Sequence, residues 1–247
     1  RTVSAGGQQG CCGPTECGCG DPISSNLYDA SQTAGLPAHA VVASLGCGNP
    51  TALAELAEAF PGQLRVIEGD ATKVDHGLEG PFHVVANLPY NVGTPMLVEW
   101  LKAGQHAGAI WRGTMVLMFQ KEVALRICAA PDEDHYGRLA VLSQAVTRPR
   151  IALPLPPGAF RPPPKVDSAV VVLDPLPEAE CFNDLASLEK VTAAAFGQRR
   201  KMLRSALRSL DIDPLPILAT AGITPERRAE TLTIEEFCAL ARAYAGT

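Results

Sequence analysis

The chain has 247 residues, a net charge of −5 and 47% hydrophobic residues. This length fits one ordinary domain with a small appendage, and the hydrophobic content allows a sizeable core. The acidic balance excludes a uniformly basic nucleic-acid binder, although it allows a local basic face. We find neither an apolar run of about 18 residues nor a signal-peptide pattern. We therefore expect a cytoplasmic protein without a membrane partner, whose eight cysteines are reduced thiols.

The front of the chain, residues 1–37, is rich in Gly, Ser, Gln, Pro and Cys and has neither a helical nor a strand period. We expect it to be irregular. Thiolates bind soft ions such as arsenic, so the clustered cysteines are candidate ligands, and a reduced tail without a ligand is the alternative. The spacing does not match an ordinary zinc pair, and we assign no metal site. The candidate thiols are Cys11, Cys12, Cys17, Cys19 and the later Cys47.

A buried strand is predicted over residues 41–45, followed by a glycine turn and a helix over residues 51–60. Asn49 and Pro50 are typical of a helix N-terminus. A strand, a glycine turn and a helix N-terminus form the geometry that accepts a nucleotide-like cofactor. Gly46 and Gly48 are therefore candidate cofactor-binding residues.

A second strand is predicted from Leu64 to Asp70. An acid at the carboxyl end of a parallel strand lies on the ligand side of the sheet, where it can accept hydrogen bonds from a cofactor. Asp70 is therefore a candidate cofactor contact. Capping of the turn before Thr72 is the alternative role.

The third strand, residues 82–86, leads into Asn87-Leu88-Pro89-Tyr90. The tetrapeptide offers a side-chain amide, outward-pointing backbone carbonyls beside a rigid proline, and an aromatic face. These groups are suited to holding a flat ring that bears an amino group. An ordinary turn after a strand has the same residue types.

The following elements alternate between helix and strand, which predicts an α/β sheet. The proline-rich end of this region predicts an antiparallel final strand, and residues 160–168 predict a stiff, extended segment. The predicted elements are helix Thr94–Lys102, strand Gly113–Phe119, helix Gln120–Cys128, helix Leu139–Ala145, strand Arg148–Ile151 and strand Ala169–Leu173.

Pro175-Leu176-Pro177 predicts a boundary between a sheet domain, residues 38–176, and a helical domain, residues 177–247. Helices are predicted near residues 183–196, 198–210, 214–221 and 233–244. Thr233 and Glu236 form a capping box for the last one. The predicted helix over residues 198–210 carries a basic stretch, which indicates either phosphate contacts or a solvated helix face. Its candidate RNA-binding residues are Arg199, Arg200, Lys201 and Arg204, and the spacing of Arg200, Arg204 and Arg208 predicts one shared face.

From about Leu53 to the end, the chain resembles the ribosomal RNA adenine dimethyltransferases. The matching stretches begin at Glu68, Val85, Met118, Tyr136, Phe160 and Ala195 and recur in the family's order. The resemblance implies a Rossmann-like methyltransferase sheet followed by a small helical domain. It also implies transfer of methyl groups from S-adenosylmethionine to N6 of adjacent adenines near the 3′ end of 16S rRNA in the small ribosomal subunit.

The resemblance also implies roles for individual residues. Asn87 and a carbonyl near Leu88–Pro89 would accept both hydrogens of the adenine amino group, and Asn87 would also lie beside the cofactor. Tyr90 would stack on one face of the flipped base and Phe160 on the other.

Residues 10–56 resemble instead the leading part of bacterial arsenite methyltransferases, above all in the stretch Ala43–Leu56. The glycine-rich strand that opens the dimethyltransferase family's cofactor site is not found. We therefore weigh an rRNA dimethyltransferase with a replaced front, an arsenite methyltransferase-like fusion and a non-catalytic rRNA-binding protein.

Overall fold

The computed structural model describes residues 83–103, 113–161 and 163–247, together with Glu58. Apart from Glu58, all of these belong to one compact unit, Val66–Thr247. The strands and the helix predicted between residues 41 and 70 lie outside the described residues.

The described part of the sheet has four strands in the order β1-β2-β4-β3. Strand β1 (Val84–Asn87) runs parallel to β2 (Met115–Gln120). Strands β3 (Thr147–Leu155) and β4 (Ser168–Pro175) form an antiparallel pair, and β4 is also antiparallel to β2. The predicted mixed α/β sheet with an antiparallel end is therefore confirmed.

Strand β3 is a sheet edge among the described residues, since it pairs with β4 alone. It contains Pro149 and Pro154. Because a proline has no backbone N–H to donate to a neighbouring strand, prolines within sheets are found on edge strands. The register shifts between Ile151 and Leu153, where the strand bulges. The prolines account for the edge position of this strand.

Three helices accompany these strands. They are α1 (Gly93–Ala103), α2 (Lys121–Cys128) and α3 (Arg138–Gln144). Helix α1 buries Met96, Leu97 and Leu101, whose spacing places them on one helical face. The predicted helices at these positions are confirmed, with bounds that differ by at most one residue.

The remainder of the chain is helical, with α4 (Leu185–Gly197), α5 (Leu203–Ala206), α6 (Pro214–Thr220) and α7 (Ile234–Ala245). The Thr233 side chain accepts from the Glu236 backbone N–H, and the Glu236 carboxylate accepts from the Thr233 backbone N–H. The predicted capping box is therefore confirmed.

The predicted helix over residues 198–210 is wrong in its first five residues. Residues 198–201 form a turn, Met202 makes an isolated bridge to Arg228, and α5 begins only at Leu203. A 3-10 helix, Leu207–Leu210, continues from α5. Arg200 precedes the helix and Arg208 lies in its 3-10 continuation. The recurrence of Arg200, Arg204 and Arg208 every four residues therefore does not place them on one α-helical face.

One hydrophobic core contains residues from both sides of the proposed boundary at residues 176 and 177. Tyr136 is fully buried, and its hydroxyl donates to the Leu232 carbonyl at 2.8 Å. Phe196 packs edge-on against Tyr136 and stacks on Phe237. The helical segment is thus packed directly onto the loop that precedes α3. The division into two domains stays a prediction.

The three later cysteines, Cys128, Cys181 and Cys238, pack in or against this core. Burial raises the pKa of the Cys128 and Cys238 thiols to about 11, so both are protonated at neutral pH. The Cys181 thiol donates to the Leu176 carbonyl at 3.4 Å.

Candidate active site

The candidate site begins where β1 ends. Asn87 is the last residue of the strand and pairs in register with Met118 of the parallel strand β2. Its side chain is exposed and makes no hydrogen bond with another residue that the structure describes. Ligands of parallel sheets bind at this carboxyl edge. No described residue therefore competes with a ligand for the Asn87 amide at this edge.

The two carbonyls that follow Asn87 differ in what they can accept. The Pro89 carbonyl already accepts the backbone N–H groups of Val92 and Gly93, at 3.1 and 3.0 Å, at the start of α1. The Leu88 carbonyl accepts no hydrogen bond from the described part of the chain, while the Leu88 side chain is buried. Of the two carbonyls named from the sequence, that of Leu88 is the better candidate acceptor.

Tyr90 is tied to β4. Its hydroxyl shares a hydrogen bond of 2.7 Å with the Ser168 hydroxyl, across 78 positions of sequence. Ser168 is fully buried, whereas Tyr90 is 40% exposed. The ring therefore has one end anchored in the protein and a substantial area in contact with solvent.

Close packing between the start of α1 and the sheet also helps to fix the position of the tetrapeptide. Gly93, at the start of α1, lies against the Phe119 ring and the Leu88 side chain, and it has no Cβ to separate them. Phe119 is only 3% exposed and belongs to the central strand β2. The first turn of α1 is thus held against the sheet where the tetrapeptide leaves β1.

Phe160 belongs to the loop between β3 and β4. Leu155 and Ser168, which bound this loop, pair with each other in register, and Ser168 also pairs with Gln120. The loop therefore leaves the same edge of the sheet as Asn87–Tyr90. Phe160 is half-buried and has extended backbone angles after a 3-10 helix, Pro157–Ala159. That short helix adds a turn just before the segment that the prolines predicted to be extended.

The basic residues predicted to bind RNA have different environments. Arg199 is engaged internally, because it pairs with Glu230 at 3.1 Å and donates to the Asp134 carbonyl at 2.9 Å. Arg204 lies 3.4 Å from a Glu226 carboxylate oxygen. Arg200 and Lys201 are exposed and form no ion pair with any described carboxylate. These two residues are the ones available for phosphate.

The other predicted ligands, Asp70, Gly46 and Gly48, lie outside the described residues. So do the candidate thiols Cys11, Cys12, Cys17, Cys19 and Cys47. Within residues 83–103, 113–161 and 163–247, no three His, Cys, Asp or Glu side chains are grouped as metal ligands are. In the same ranges, no helix is long and apolar enough to cross a membrane.

Two residues of the site were missed by reasoning from the sequence. Gly93 and Ser168 both lie in stretches that carry the family resemblance, but neither was given a role. Their importance comes from contacts with Phe119 and Tyr90. The proximity of Ser168 to Tyr90 follows from strand pairing between distant segments, which no local pattern encodes.

A family model described as ribosomal RNA adenine dimethylase matches residues 51–245. The chain belongs to the ribosomal RNA adenine dimethylase family. The match covers both the Asn87–Tyr90 tetrapeptide and the helical segment, so the resemblance found in the sequence is confirmed.

Among relatives of this chain, the ribosomal RNA small subunit methyltransferase A of Rhizobium meliloti is 57% identical over 192 residues. That alignment covers 77% of this chain and 68% of the relative. The protein of the same name from Novosphingobium aromaticivorans is 55% identical over 193 residues, or 77% of this chain and 69% of the relative.

Two solved structures share the fold. A dimethyladenosine transferase from Plasmodium falciparum matches with a TM-score of 0.65 and 24% identity, covering 80% of this chain and 78% of that one. The 23S rRNA methyltransferase ErmE matches with a TM-score of 0.53 and 21% identity, covering 78% of each chain. These likenesses confirm the Rossmann-like methyltransferase fold.

The family match begins at residue 51, so most of the segment that resembles arsenite methyltransferases precedes it. The matches do not support an arsenite methyltransferase or a non-catalytic protein as the alternative. The replaced front of the cofactor site stays a hypothesis, because it rests on residues outside those described.

Proposed function

We propose that this protein transfers methyl groups from S-adenosylmethionine to N6 of adjacent adenines near the 3′ end of 16S rRNA. The observation that carries the proposal is the exposed Asn87 amide at the carboxyl end of β1, which has no hydrogen-bond partner among the described residues and lies on the same sheet edge as Tyr90 and the Phe160 loop. The membership of the chain in the adenine dimethylase family supports adenine as the substrate base.

The reacting amino group is a weak nucleophile because its lone pair is delocalised into the adenine ring. In our proposal, the Asn87 Oδ1 atom and the Leu88 carbonyl oxygen each accept one hydrogen of this group. Two acceptors placed in this way favour a pyramidal nitrogen with a localised lone pair. The protein then accelerates transfer chiefly by positioning.

The target base must leave its stack to reach Asn87. We assign the exposed ring of Tyr90 to one face of the flipped adenine and the Phe160 ring to the other. Stacking between a base and an aromatic side chain is worth about 1–3 kcal/mol. The half-buried state of Phe160 and the anchored hydroxyl of Tyr90 support this assignment, since both residues are partly exposed on the same edge of the sheet.

S-adenosylmethionine, when bound, supplies a methyl group activated by attachment to a sulfonium. The described residues fit such a ligand in one respect, because Asn87 presents, at the ligand-binding edge of the sheet, an amide that bonds to no other described residue. We propose Asn87 and Asp70 as its main contacts, with Gly46 and Gly48 beside it.

We propose that the RNA phosphates are bound by Arg200 and Lys201, since both are exposed and lack a carboxylate partner among the described residues. Arg204 is a weaker candidate because it pairs with Glu226, and Arg199 serves the fold. The partner in this proposal is the small ribosomal subunit, and the site of action is the cytoplasm.

The test is methyl transfer to small ribosomal subunits that lack the modification, with the wild type beside Asn87→Ala. We expect Asn87→Ala to abolish methylation without changing RNA affinity, because the exposed amide contributes to transfer and not to the fold. Asn91→Ala, at an exposed position four residues on, is the matched control and should stay active. Equal loss of methylation and RNA binding in Asn87→Ala would show that Asn87 is structural, and an inactive wild type would refute the proposal.

A further inference from the structure

We infer that Ser168 is a positioning residue that holds the Tyr90 ring in the orientation that receives the target adenine. This inference rests on the proposed function, because it concerns how the same site holds its base. It adds a residue of β4 to a site otherwise built from the loops that follow β1 and β3.

The hydrogen bond between these residues joins a rigid partner to an exposed one. The Ser168 backbone is paired on both sides, with Gln120 of β2 and Leu155 of β3. Next to it, the Lys121 backbone N–H donates to the Asp167 carbonyl at 2.9 Å. The Ser168 hydroxyl is therefore held by a three-stranded part of the sheet.

Tyr90, in contrast, lies in a turn between β1 and α1. A partly exposed ring in a turn samples several orientations unless a contact at its far end restrains it. The bond to Ser168 supplies that restraint at the hydroxyl, while the rest of the ring stays available for stacking. A pre-oriented ring loses less conformational freedom when the base arrives.

The bond also gives the buried Ser168 hydroxyl a hydrogen-bond partner. This hydroxyl has no other side-chain or backbone partner among the described residues, and its residue is fully buried. A buried hydroxyl without a partner is costly, so the two hydroxyl groups depend on each other. Removing either one should therefore have nearly the same effect on the orientation of the ring.

A double-mutant cycle of Ser168→Ala and Tyr90→Phe tests this dependence. We expect each single variant to lower kcat for methyl transfer about three- to tenfold, with KM for RNA unchanged, since only one hydrogen bond is lost. The double variant should lose no more than either single variant. Ser168→Thr, which retains the hydroxyl, should recover activity relative to Ser168→Ala.

An RNA with 2-aminopurine at the target position reports the stacking separately from the amino-group contacts, because this base lacks the N6 amino group and its fluorescence is quenched by stacking. We expect weaker quenching with Ser168→Ala and Tyr90→Phe than with the wild type, and equal quenching in the single and double variants. Val170→Ala, on the same strand, is the control for a general loss of stability, and should leave the quenching unchanged.

Losses that multiply in the double variant, or quenching that Ser168→Ala leaves unchanged, would overturn the inference while the proposed function stands. A wild type that does not methylate small ribosomal subunits lacking the modification would overturn both. A fall in melting temperature without a change in kcat would make Ser168 purely structural, which also refutes the inference.

Discussion

A β-carbon added to Gly93 would stand 3.2 Å from the Phe119 Cε1 atom, closer than ordinary side chains pack. The added β-carbon would also stand 3.5 Å from the Leu88 Cβ atom. The contact joins the start of α1, the central strand β2 and the tetrapeptide of the site. It explains why the smallest residue follows the turn that carries Tyr90.

We predict that Gly93→Ala destabilises the protein by about 1–3 kcal/mol, because Phe119 is buried and has little room to move. Urea unfolding measures the change. Gly197→Ala is the matched control, since its added Cβ would meet nothing within 4 Å. An equal effect of the two substitutions would mean that helix propensity, rather than the contact with Phe119, sets the result.

The assignment of Arg200 and Lys201 to phosphate predicts a change in the salt dependence of RNA binding. Each phosphate contact contributes about 0.7–0.9 to the slope of log K against log salt. Replacing both residues by alanine should therefore reduce the magnitude of the slope by about 1.5. Arg126→Ala is the control, because Arg126 pairs with Glu122 on the surface of α2. If Arg126→Ala reduces the slope as much as the replacement of Arg200 and Lys201 does, the effect of charge is nonspecific.

The hydrogen bond from the Tyr136 hydroxyl to the Leu232 carbonyl predicts a stability cost for its removal. Tyr136→Phe leaves that buried carbonyl without this donor, and we expect a loss of about 1–3 kcal/mol in the free energy of unfolding. Tyr244→Phe should be neutral, because its hydroxyl has no partner among the described residues. Equal unfolding midpoints for the two variants would contradict the prediction.

The ion pair between Arg227 and Glu236 predicts a loss of stability in acid. The hydrogen bond from Arg227 holds the pKa of the Glu236 carboxyl below its usual value, and the Thr233 backbone N–H lowers it further. A folded pKa below the unfolded one stabilises the protein above the unfolded pKa, near 4.3, and this stability is lost as the pH falls through the folded pKa.

Glu236→Gln tests this effect, since glutamine can keep the capping box while removing the charge. The wild type should be the more stable of the two in urea at pH 7, and the difference should shrink steadily below about pH 4.5. A difference that is constant from pH 7 to pH 3 would show that the charge of Glu236 does not contribute.

The sequence alone determined the local elements and the chemical identity of the base-binding loop. Asn87–Tyr90 follows a short apolar strand, the proline-rich end of the sheet region predicts an antiparallel final strand, and the Thr233–Glu236 box begins α7. These signals are local, because caps, turns and strand periods arise between residues that are close along the chain. The recurring motifs also determined the family, which the match over residues 51–245 confirms.

Only the tertiary structure decided which of these residues meet. The pairing of β1 with β2, and of β2 with β4, brings the Ser168 hydroxyl within 2.7 Å of the Tyr90 hydroxyl. The bridge between Met202 and Arg228 accompanies a turn where a continuous arginine face was predicted. Glu230 and the Asp134 carbonyl engage Arg199, which looked like an RNA contact. Contacts between residues distant along the chain depend on how the strands and helices pack, and so local pattern could not reveal them.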